Sequence, residues 1–451
     1  MDFLYSDLEK TDKVLYDLLQ KEKERQEEKL LLNAAISITP KSVLELQGSE
    51  FDNIDAEGYI PDYLTSQNAE ELENIDKQLM LYKEYKDKRC NKCCEYANIV
   101  EALAQKRMAE VFENENAKKE DIFVNLQAPT GAIANFIVYK ALLNRGDTIL
   151  SLGVNDGGHT THGDETNDSG EQYKIINYHI SIEKNNIDYD EIGMLLAKHK
   201  PKLLIAGASS FPLNIDWGKI RELINRYSNN TIFMADIAHT AGLVAGKVFN
   251  NPVGLADVTT LVTYKTFGGP RAAAIITTNK KTAKKIDDTV FPKIMGSPLL
   301  LGIAGIATAC KIALTDGYKK MQKKVVENSR LLCQELIKNN VNVAYGTSDT
   351  HIVLVNCKEY GTGEDIANIL EDCNILVNDC HAPSKNGYDE AIRIGTTWIT
   401  EENITKEGIK QIAKILSEIL NKVKTNEDID YKKYKKEVHK IKEGDLVNDN
   451  I

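Results

Sequence analysis

Between residues 98 and 312 the chain alternates short apolar runs with helical stretches, and few architectures absorb that pattern. DIFVNL, DTILSL, KLLIAG, TIFMAD and AAAIITT are brief apolar runs bounded by turns, as expected of strands buried on both faces. IVEALAQKRMAEVF, GAIANFIVYKALL, GKIRELINRYS and TAKKIDDTVF lie between them with helical character. Such alternation over about 200 residues predicts an α/β domain with a doubly wound, mainly parallel sheet.

The flanking segments divide the rest. Residues 1–40 predict an N-terminal helical arm, with apolar positions at three- and four-residue steps up to Leu19. Residues 41–300 make the large domain, interrupted over about 60–87 by a polar, Lys/Glu-rich insertion of helical character. Residues 301–423 predict a smaller α+β C-terminal domain, entered by one long helix from Leu301 to Lys338. Residues 424–451 form a charged tail, read as a solvated helix or frayed end.

Composition narrows the function classes. Sixty-seven acidic residues against 56 basic ones give a net charge of −11, which argues against a protein that coats nucleic acid. No run approaches the roughly 18 apolar residues of a membrane span, so no membrane partner is expected. The opening MDFLYSDLEKTDKV lacks the apolar core of a secretory signal. Eight Cys, several in apolar or helical contexts, read as free thiols in a reducing compartment. A cytoplasmic chain is expected, or a mitochondrial one if the natural N-terminus is longer. Cys90 and Cys93 have the spacing of half a zinc site, but no second ligand pair lies nearby and no metal is expected.

The chemistry concentrates at the ends of two strands. TIFMAD ends on Asp236, followed by His239, and about thirty residues later DVTTLVTYK ends on Lys265, with Arg271 behind a Gly-Gly-Pro turn. In open α/β sheets, ligands bind beyond the carboxyl ends of strands. A lysine amine for a Schiff base and a carboxylate for a pyridine nitrogen are the two groups pyridoxal 5′-phosphate requires. Thr130 and Gly131 open a helix, where free backbone N–H groups suit a phosphate. His159, in GGHTTHG, offers an imidazole to stack on the ring.

With these in place the chain resembles the serine hydroxymethyltransferases over nearly its whole length. The matching segments include SVLELQGS, DAEGY, NLQAPTGAIANFIVYKALLNRGDTIL, GGHTTHG, GASSFPLNIDW, ADIAHTAGLVA, VTYKTFGGPR, VFPKIMGSPLLLGIAG and IRIGT. The resemblance implies a fold-type I, aminotransferase-like large domain and a dimer or tetramer with shared active sites. It also implies one-carbon transfer between serine, glycine and tetrahydrofolate. By position, Lys265 matches the Schiff-base lysine, Asp236 the partner of the pyridine nitrogen, His239 a residue near the cofactor phenolate, and His159 the stacking histidine. Ser209 matches a serine on the cofactor oxygen, Arg271 the arginine of the family's Gly-Pro-Arg segment, and Arg393 the grip on the substrate carboxylate. Glu57 matches the catalytic glutamate; an alternative register would put Tyr82 and Glu84 in its place.

Departures cluster at the rim. Ala35 replaces a serine that holds substrate carboxylate, Asp55 a tyrosine, Ala132 a serine of the phosphate loop, and Tyr264 the histidine before the lysine. Gly296-Ser297 replaces a Gly-Gly pair that serves the neighbouring subunit's phosphate, and Cys90-Asn91 replaces two tyrosines. Three readings follow. The first is an active serine hydroxymethyltransferase with a remodelled rim. The second is a catalytically impaired paralogue that joins or regulates an active subunit as a hetero-oligomer. The third is a folate-independent β-hydroxy amino acid aldolase.

Overall fold

The computed structural model describes residues 2–385 and 387–443. Its centre is a seven-stranded sheet in the spatial order Phe123–Asn125, Ala273–Thr277, Val258–Val262, Ile232–Asp236, Leu203–Ala206, Thr148–Leu152 and Lys174–Tyr178. Only Ala273–Thr277 runs antiparallel to its neighbours; the other pairings are parallel. The period-two geometry of a strand explains the uninterrupted apolar runs. Leu204, Phe233 and Ala235 face one core, while Leu203, Ile205 and Met234 face the other.

A three-stranded antiparallel sheet, Ile352–Asn356, Gly387–Gly395 and Asn378–Ser384, carries the second core. The N-terminal segment joins it: Leu30–Leu31 pairs in parallel with Ile375–Leu376. Ahead of that strand the arm forms a helix, Lys13–Glu28, capped by Asp12. Its Val14, Leu15, Leu18 and Leu19 are exposed.

Two elements differ from the sequence reading. The single helix expected from Leu301 to Lys338 is two helices, Leu300–Ala313 and Asp316–Lys338, meeting at 84°. Thr315 causes the break, because its hydroxyl accepts the Tyr318 N–H and starts a new helix. The first helix packs into the core of the large sheet. No single described helix is long and apolar enough to cross a membrane.

The tail is also not simply solvated. Tyr431–Glu443 is a helix whose Tyr434, Val438 and Ile441 are fully buried in the small core, and whose Lys442 ammonium lies 2.5 Å from Glu402. Spacings of four and three residues put those apolar side chains on one face. The remainder of the tail, 444–451, lies outside the described residues.

The insertion is helical as read, in the pieces Asp62–Thr65, Ala69–Leu72 and Ile75–Tyr85. Ile60, Leu64 and Leu72 pack on Ala102 of the helix Glu95–Phe112. Its neck is closed by Arg89, whose guanidinium is fully buried against Glu101 at 2.5 Å. Arg89 also donates to Asn98 Oδ1 and to the carbonyls of Ala56 and Gly58.

Candidate active site

Asp236 ends its strand at the carboxyl edge of the sheet, and Lys265 follows the adjacent strand by three residues. They line one pocket with Thr130, Gly131, His159, Ser209 and His239. The sequence thus brings seven of its ten expected site residues to a single cavity. Three others that line it, Asn135, His162 and Tyr264, were not assigned a ligand role from sequence.

Asp236 is held as a carboxylate. Burial pushes its pKa up, but His162 Nε2 at 3.0 Å, Asn135 Nδ2 at 2.9 Å and the Ala238 N–H at 2.9 Å outweigh it. The net effect holds the carboxyl well below the ordinary range. A permanently charged carboxylate suits a protonated pyridine nitrogen. His162 was legible only as the second histidine of GGHTTHG; nothing in the sequence pointed it at Asp236.

Lys265 is nine-tenths buried, and its Nζ lies 2.9 Å from His239 Nε2. Burial drives its pKa down to about 8, with Asp236 opposing and Arg393 assisting. Near neutrality a useful fraction of the amine is therefore unprotonated and nucleophilic. Burial likewise pushes His159 down to about 4, and the neighbouring His162 presses the same way. The stacking face is thus a neutral imidazole, with Nδ1 fixed by Thr161.

Gly131 opens the twelve-residue helix Gly131–Leu142, and Thr130 caps it. A Cβ at Gly131 would sit 2.7 Å from Val262, so only glycine allows the helix start to approach the sheet this closely. The free N–H groups there suit a phosphate.

Arg393 lies on the strand Gly387–Gly395 of the small domain. Its Nη1 donates to the Ser209 carbonyl at 2.6 Å and its Nη2 to Asn378 Oδ1 at 3.1 Å. Its Nε is buried with no protein partner. An orphaned buried donor beside a cationic carbon is a vacancy in the protein's own bonding that an anionic group would satisfy. The residues present therefore fit pyridoxal 5′-phosphate together with a carboxylate substrate.

Arg393 is not among the pocket-lining residues, and two further expected residues stand elsewhere. Arg271 is exposed, stacked 4.7 Å over the Tyr264 ring and outside the pocket lining. Glu57 does not line this pocket either. Its carboxylate faces Gly296, where an added Cβ would come within 3.2 Å, and the neighbouring Ala56 N–H donates to Ser297 Oγ. In the alternative register, the Tyr82 hydroxyl donates to Asp87 and Glu84 is exposed on the insertion, so neither lines this pocket.

Cys90 and Cys93 are exposed and Cys94 is buried. Among the described residues no group of three or more His, Cys, Asp or Glu is arranged to hold a metal ion.

A family model described as serine hydroxymethyltransferase matches residues 8–78 and 80–416. Two similar proteins carry the same name. One, from Wolbachia pipientis subsp. Culex pipiens (strain wPip), is 36% identical over 419 residues, covering 92% of this chain and 90% of its own. The other, from Wolbachia sp. subsp. Drosophila simulans (strain wRi), is 36% identical over 417 residues with the same coverage.

Proposed function

The chain belongs to the serine hydroxymethyltransferase family, and from that premise we infer how its own residues divide the work. The reaction is the interconversion of serine and glycine with one-carbon transfer to tetrahydrofolate, and the cofactor is pyridoxal 5′-phosphate. The impaired paralogue and the folate-independent aldolase are not favoured, because the match over 92% of the chain is to proteins named serine hydroxymethyltransferase. When bound, the cofactor supplies the electron sink for cleavage at the substrate's α-carbon.

Lys265 would offer the amine that holds the cofactor, and the Asp236 carboxylate would keep a proton on its pyridine nitrogen. His159 would stack on the ring. The N-terminus of Gly131–Leu142 would take the phosphate, and the buried Nε of Arg393 the serine carboxylate. The observation that carries this reading is the 2.9 Å approach of a buried lysine to His239, in one pocket with a carboxylate locked in its charged form.

Glu57 handles protons on the substrate hydroxyl in a second copy of the chain. What supports this is its position beside the exposed Gly296-Ser297, outside its own Lys265 pocket. The working form is then a homo-oligomer with shared sites. The test is a titration of cofactor-loaded protein with serine, followed by tetrahydrofolate. The expected result is glycine formation that depends on the folate; a spectral change with serine but no folate-dependent glycine would refute the reading.

A further inference from the structure

We propose that His351 is a positioning residue that holds His239 in the tautomer with its proton on Nε2, so that a donor faces the Lys265 amine. His351 precedes the strand Ile352–Asn356 of the small sheet, is fully buried, and does not line the pocket. Its Nε2 lies 3.0 Å from the carbonyl oxygen of Ala34. A carbonyl can only accept, so that nitrogen carries the hydrogen. The same Nε2 lies 3.5 Å from His239 Nδ1, with the two rings stacked at 15° and centroids 5.6 Å apart. Two N–H groups cannot face each other at that separation, so Nδ1 of His239 presents its lone pair.

Both rings are neutral near pH 7. Burial pushes His351 down to about 3 and His239 well below its usual value, and the charge of Arg393 presses the same way on both. Lys265 and His159 also face His239, and His159 is itself neutral. The single proton of His239 therefore sits on Nε2, 2.9 Å from Lys265 Nζ. An N–H can bond an amine only through the amine's lone pair, so the arrangement favours the unprotonated, nucleophilic lysine. The other ring nitrogen of His351, Nδ1, is buried without a partner, so the influence of this side chain passes through Nε2. Because Ala34 follows the N-terminal strand and His351 belongs to the small domain, the lysine is primed only when both are seated on the large sheet.

The proposal deepens the reading of Lys265 as the cofactor lysine and rests on it. The experiment strips cofactor from the full-length protein. It then measures the rate at which free pyridoxal 5′-phosphate is captured at pH 7, from the growth of the visible absorption band. His351→Gln keeps an N–H near the Nε2 position and should capture the cofactor within about twofold of the wild type. His351→Met has no donor and should be slower by about fivefold, the loss of one neutral hydrogen bond, with its rate rising to the wild-type value at higher pH.

Wild-type capture by a folded Met variant would overturn the proposal, as would equal slowing of both variants with native melting curves. If the Met variant does not fold, the Gln variant decides: an unchanged pH midpoint upholds the proposal and a shifted one overturns it. A wild type that captures no cofactor would overturn the reading of Lys265, and the proposal with it.

Discussion

Removing one member of the Arg89–Glu101 pair should destabilise the large domain and loosen Glu57 together. Both side chains are essentially free of solvent, at 0% and 1% exposure, and 2.5 Å apart. Leaving a charge buried without its partner costs about 3–5 kcal/mol. At about 2 °C per kcal/mol for a unit of this size, Glu101→Gln or Arg89→Met should lower the melting temperature by roughly 6–10 °C. The double variant should lose much less than the sum, because no unpaired charge remains. It should still fall short of the wild type, since the carbonyls of Ala56 and Gly58 lose the donor that flanks Glu57. Calorimetry on the four proteins closes the cycle. Additive losses would refute the coupling, and a native-like kcat in folded Arg89→Met would refute the claim that this clamp sets the position of Glu57.

Three further outcomes are expected. Arg393→Lys should raise KM for serine by about tenfold to a hundredfold, the value of a charge-assisted bond, with steady-state kinetics as the check and an unchanged KM as the contrary result. Lys265 has its pKa lowered from 10.5 to about 8, so below pH 8 folding buries a charged amine, and that penalty fades as pH rises from about 8 to 10.5. Cofactor capture by stripped protein should accordingly follow a midpoint near 8, and a midpoint near 10.5 would show the amine to be unperturbed. Tyr434→Ala should cost about 3–5 kcal/mol in the small domain, read by hydrogen exchange in Ile352–Asn356. Unchanged protection there would return the tail helix to the solvated class.

The legibility of the molecule followed the range of the forces involved. Strands were readable because burial on both faces leaves an unbroken apolar run, and Asp236 and Lys265 were readable because each ends such a run. The break before Asp316 carried a local signal, the capping Thr315, that the apolar helix Leu300–Ala313 outweighed. Tyr434, Val438 and Ile441 were spaced for one helical face, yet the surrounding lysines dominated the reading. The contacts that sequence could not supply are those between distant polar groups. His162 meets Asp236 across 74 residues and His351 meets Ala34 across 317, and no local pattern encodes such a meeting. The Arg89–Glu101 pair, twelve residues apart, hid because a Lys-Arg at the end of a polar stretch has the composition of a surface loop.

The closed neck of the insertion has a consequence for how this chain tolerates change. The backbone N–H of Cys90 donates to the carbonyl of Glu57 at 3.0 Å, so the chain leaves and re-enters the domain through points one hydrogen bond apart. Whatever occupies residues 60–87 adds almost nothing to the distance the backbone must span. Apart from the seat that Ile60, Leu64 and Leu72 make on Ala102, the excursion could lengthen or shorten while the register of Glu57 stayed where Arg89 pins it.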